Sequence, residues 1–199
     1  MDAKKIVMLT VAILMATSLV AEVELVVLKW NPIPCKNNCP SLLQNRLEKS
    51  KGVVSVEMHP EEGRADLKWS PTIPFSFIPL NWALRYVGVR EKDLRVRVSG
   101  HILGSGSNYS IVSRGDHTIF TLFNRAVPVN HLEYTTLFNS YNRVLSKEIT
   151  AKLDEVMKGK KIAVIEGPLF MPERSPPDPL RLVIDTLSVE AAPPSSKSH

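Results

Sequence analysis

Both cysteines of the chain, Cys35 and Cys39, stand in one Pro-rich loop between an apolar run and a helix-forming run, and this limits what the first half can become. Residues 25–28, Leu-Val-Val-Leu, are apolar on both faces, as a strand covered on both sides requires. Asn31-Pro32-Ile33-Pro34 cannot extend a sheet ladder, because proline brings no amide donor. Pro40 suits the first turn of a helix over residues 41–51. There Leu43 and Leu47 share a face, Leu42 widens it, and Gln44, Arg46, Glu48 and Lys49 look outward. Gly52 is a left-handed stop. Two alternating runs follow, Val54, Val56 and Met58, then Ala65, Leu67 and Trp69, separated by the turn composition His59-Pro60-Glu61-Glu62-Gly63. The order is strand, cysteine loop, helix, strand, turn, strand.

Residues 70–76 read as a Pro-interrupted linker, and residues 79–87 as a second helix with Leu80, Ala83, Leu84 and Val87 inward. Leu94, Val96 and Val98 alternate with Arg95 and Arg97 in a fourth strand. The sum is βαββαβ, the ferredoxin-like arrangement. In the second half, residues 109–113 and 118–123 are strand-like around the turn Arg114-Gly115-Asp116. Phe138, Tyr141, Leu145, Ile149, Leu153 and Val156 form a stripe predicting one long helix over residues 134–157. Strands are predicted at 160–166 and 180–189, with a Pro-rich loop at 167–179. Three strands, a helix and two strands is the order of an OB-fold barrel. Residues 93–103 are needed by both halves, and one long strand bent at Gly100 serves both. The expected class is therefore α+β: a ferredoxin-like βαββαβ domain at 22–99, then an OB-like β-barrel with one long helix at 100–190.

Lys4 and Lys5 precede an apolar run at residues 6–20, and Ala16 and Ala21 suit cleavage. Residues 1–21 thus read as a signal peptide of an exported, periplasmic or secreted protein with no stable transmembrane segment after cleavage. Residues 191–199 are a polar tail expected to be disordered. A net charge of +5 permits an anionic partner without demanding one. Routine contact with nucleic acid is not expected of an exported chain.

Residues 23–98, and most closely 23–69, resemble the heavy-metal-associated domain of copper chaperones and metal-pumping ATPases. The resemblance rests on the cysteine pair between first strand and first helix, and on Gly52-Val53-Val54-Ser55-Val56 opening the second strand. It implies a metal site at Cys35 and Cys39, holding Cu(I) or another soft ion, with the metal ion as partner. Cys39 at a helix N-terminus would have its thiolate stabilised by the dipole. The chain departs from the family in its Cys-x3-Cys spacing and in Pro34. Three readings of the pair stay open: a metal site, a local disulfide bracing the loop, and a degenerate site on a retained fold. The corresponding functions are an exported non-catalytic metal-binding protein, or a cell-envelope interaction protein whose cysteines are structural. No Ser/His/Asp order, phosphate loop or paired-carboxylate site stands out, so no enzymatic activity is expected. Arg95 and Arg97, with Arg85, Arg90 and Lys92, read as an anion-binding strip or a solvated face. Tyr109, Phe120 and Phe123 are stacking residues or core. Leu169-Phe170-Met171-Pro172 either contacts a partner, such as an envelope protein, or caps the barrel mouth.

Overall fold

The computed structural model describes residues 23–35, 37–125 and 143–190. Within them the protein is α+β, mostly strand. Its elements are β1 (Val23–Trp30), α1 (Cys39–Glu48), β2 (Val53–His59), β3 (Arg64–Trp69), α2 (Ile78–Tyr86), β4 (Glu91–Ser105), β5 (Asn108–Ser113), β6 (Ile119–Phe123), α3 (Lys147–Lys158), β7 (Ile162–Pro168), β8 (Leu180–Val183) and β9 (Thr186–Glu190). The expected signal segment, the tail, and the part of the predicted long helix holding Phe138 and Tyr141 lie outside the described residues. No helix among the described residues is long and apolar enough to cross a membrane.

All the strands belong to one curled sheet, in the order β2-β3-β1-β4-β5-β6-β8. β1 is central, antiparallel to β3 on one side and β4 on the other. Its two faces differ: Val26, Leu28 and Trp30 are buried, whereas Leu25 and Val27 on the other face are half-buried, so the expected cover on both faces is complete on only one. α1 buries Leu43 and Leu47, and α2 buries Leu80, Ala83 and Leu84. The two helices pack on each other, and α1 covers β2.

β4 joins the halves. It pairs with β1 through Val98, with β7 from Arg95 to Gly100, and with β5 from Gly100 to Ser105. A Cβ on Gly100 would stand 2.1 Å from the Val112 carbonyl oxygen, so only glycine lets β5 close at the point where β4 changes partners. β6 then pairs in parallel with β8, and a Leu169–Leu182 bridge brings the chain after β7 back onto β8. The sheet therefore curls on itself.

Four local expectations are corrected. Leu42 faces solvent, half-exposed, because the inward arc of α1 is narrow enough for Leu43 and Leu47 alone. Val54 is 64% exposed: a register shift between Val53 and Ser55 on the edge strand leaves it without a cross-strand partner. Residues 180–189 are two strands rather than one. At Ile184 and Asp185 the backbone donates to Phe123 and Glu166 carbonyls, and the chain passes from β6 to β7. α3 begins at Lys147, because the Ser146 hydroxyl accepts from the Ile149 amide at 3.3 Å and caps it there.

The stretch read as a linker carries a buried anchor. Phe75 meets Trp69 edge-on at 4.8 Å between centroids and Phe120 at 6.2 Å. Its amide donates to Asp116 Oδ2 at 3.0 Å and Thr118 Oγ1 at 2.7 Å, both buried. The apolar interior is accordingly one continuous cluster running from β1 to β8.

Candidate functional site: the two-helix face

Cys35 and Cys39 are joined by a disulfide, with Cα atoms 5.1 Å apart. Cys35 is buried and Cys39, the first residue of α1, half-buried. The Cys35 amide donates to the Pro32 carbonyl at 3.0 Å, so the bond clips a tight turn to the helix start. Asn37 sits at φ 54°, a left-handed position that asparagine tolerates better than most residues. A soft cation binds thiolates, and a disulfide presents none, so in this oxidised form the pair lacks the donors for one. His59 stands near Glu57 (3.7 Å) and Asp66 (3.8 Å), not the cysteines. Among the described residues no group of three or more His, Cys, Asp or Glu side chains is placed to hold a metal ion.

Arg95 and Arg97 are each paired. Arg95 donates to Asp185 at 2.7 Å, and Arg97 to Glu24 at 2.8 Å. Their charge is largely neutralised locally, and Arg85 lies elsewhere, on α2. Tyr109 and Phe120 are core, Tyr109 donating to Asp154 Oδ1 at 2.6 Å. Phe170 and Leu169 are buried, and Phe170 lies 6.0 Å from Phe123 and 4.3 Å from the Arg143 guanidinium. That loop packs inward. Beside it, burial first, then Glu173 and Asp93, hold the Glu91 carboxyl above its ordinary range.

Among the described residues, the outer face of α1 and α2 is a surface with chemistry still to offer. Between the helices runs an open, mainly apolar groove of about 460 Å³. Trp82 is 71% exposed and Tyr86 60% exposed along it. The Arg46 guanidinium carbon stands 3.6 Å over the Tyr86 ring centroid, a cation–π contact between the two helices. Lys49, Lys51 and Arg85 complete the rim. Among the described residues, none of these four cations reaches a carboxylate; Arg85 donates only to the neutral Asn81, at 3.2 Å.

Helical spacing explains the two faces of α2. Leu80, Ala83 and Leu84 point to the sheet, and Ile78, Trp82 and Tyr86, spaced by four, share the opposite side. Apolar stripes on both sides of a nine-residue helix were the available signal. Attention to the inward stripe alone passes over Trp82 and Tyr86.

Compared with protein-family models, curated proteins and solved structures, the chain matches none of them.

Proposed function

We propose that this is an exported, non-catalytic interaction protein of the cell envelope, whose docking surface is the two-helix face and whose cysteines brace the loop that leads into α1. Its scaffold is read as a ferredoxin-like, heavy-metal-associated-like domain at 22–99 continued through β4 into an OB-like barrel at 100–190. The antiparallel order β2-β3-β1-β4 with crossover helices α1 and α2 supports the first assignment. The β4-β5-β6 meander, the parallel β6–β8 pair and the return of β7 to β4 support the second. The apolar run at 6–20 behind Lys4 and Lys5, with a disulfide that suits an oxidising compartment, supports export.

One observation carries the functional reading: four cations without carboxylate partners among the described residues surround two aromatic rings held in solvent. Exposed rings carry an aggregation cost and clustered like charges repel one another, and a bound anionic surface relieves both. The test is site-specific photo-crosslinking in producing cells, with a photoreactive phenylalanine at Trp82 or at Leu103, another exposed position, in the second half. Adducts at 82 and none at 103 are expected. Equal labelling at both positions, or none at either, removes the docking face.

Soft-metal binding is the second reading and concerns the reduced protein. Its support is that Cys39 opens α1, where the helix dipole favours a thiolate, with Cys35 close by. Cu(I) titration of reduced wild type beside Cys35→Ser/Cys39→Ser decides it. Equal stoichiometry in the two proteins ends this reading.

A further inference from the structure

The docking face proposed above leaves its occupant open, and we infer that the occupant is an anionic phospholipid bilayer, met by Trp82 and Tyr86 at headgroup depth and by Arg46, Lys49, Lys51 and Arg85 at the phosphates. This rests on the reading of that face as the docking surface, and two observations take it further.

The first is the pairing of residue types. Trp and Tyr carry an apolar ring body with a polar edge, which is why they concentrate at the membrane–water boundary. Here both stand out from the helices rather than lining a deep slot, and half-exposed Ile78 and Leu42 extend the apolar side of the same face. A slot shaped for one acidic peptide would enclose its anchors instead.

The second is charge. Four cations without carboxylate partners among the described residues surround the rings. Each basic residue near an anionic lipid surface strengthens binding roughly fivefold, and the effect falls off within a Debye length.

The chain carries its own reporter. Of its three tryptophans, Trp30 and Trp69 are 1% and 4% exposed and Trp82 is 71% exposed. Emission and quenching of the full chain therefore report on this face. With vesicles of mixed phosphatidylglycerol and phosphatidylcholine, the expected result is a blue shift, protection from acrylamide, and quenching by brominated lipid. Raised salt reverses all three, and Trp82→Phe abolishes them. Lys49→Gln/Lys51→Gln, both exposed, should weaken the response about thirtyfold. Pure phosphatidylcholine vesicles should leave Trp82 unchanged. An equal response on both vesicle types would mean that the lipid charge plays no part, and overturns the inference, as does a silent Trp82 on the anionic vesicles. Soluble polyglutamate separates this failure from that of the docking face. A Trp82 response to polyglutamate but not to vesicles leaves the face standing with an acidic protein as occupant. No response to either, with no crosslink at 82, removes both.

Discussion

Replacing Phe75 by alanine tests how the two halves of this protein hold together. The ring is 4% exposed and wedged between Trp69 of β3 and Phe120 of β6. Deleting a buried phenylalanine costs about 3–5 kcal/mol, from lost transfer energy and the cavity left behind. The two ring pairs account for roughly 0.5–1.5 kcal/mol each within that total. The Phe75 amide keeps its acceptors on Asp116 and Thr118, so the loss isolates the side chain. Set against a domain stability of about 5–15 kcal/mol, this is a large fraction. Urea unfolding followed by circular dichroism and by tryptophan emission measures it. The wild type should unfold in one transition with coincident probes, because its interior is a single cluster. Phe75→Leu, which fills space without stacking, should recover most of the loss. A cost below about 1 kcal/mol, or two separate transitions in the wild type, would refute the idea that Phe75 welds the halves.

Asp116→Ala should destabilise by about 2–4 kcal/mol in the same assay, because it removes one of the two acceptors of the buried Phe75 amide and the acceptor of the Thr118 amide and hydroxyl. Cys35→Ser/Cys39→Ser should cost about 2 kcal/mol, the small value expected of so short a loop, and leave the Trp82 response to anionic vesicles unchanged. Glu91→Gln should stabilise at neutral pH. Burial and the Glu173 and Asp93 charges raise the folded-state pKa of Glu91, so the folded state binds that proton more tightly than the unfolded one. Its ionisation then subtracts stability as pH rises from the ordinary carboxylate range through the raised value. The gain from Glu91→Gln, read from denaturation midpoints, should therefore vanish in acid and be full at neutral pH; a gain of constant size would contradict this.

Much of the layout is legible in the sequence because alternation and helical spacing record which face is buried. The central position of β1 is written in Leu25–Leu28, and the double use of β4 in a run too long for one partner, with glycine where it turns. What escapes is set by contacts that local pattern does not encode. Phe75 sits among turn residues, and nothing nearby in the chain marks it as a wedge, because Asp116 and Thr118 lie more than forty positions on. Val54 obeys the alternation and still faces solvent, since a bulge on an edge strand alters it. The break at Ile184–Asp185 follows from a change of strand partner, which an unbroken apolar alternation conceals. At the site, the cysteines are conspicuous and the groove is not. Trp82, Tyr86 and Arg46 come from two helices and become one surface only when α1 and α2 pack.

The most direct measurement is hydroxyl-radical footprinting of the wild-type chain, free in solution and in intact envelopes, read by mass spectrometry. Trp82 and Tyr86 should be oxidised readily in the free protein and protected in envelopes, while Leu103 and Val189, exposed elsewhere, react alike in both. Unchanged oxidation of Trp82 and Tyr86, or protection of Leu103 and Val189 in their place, would contradict the account.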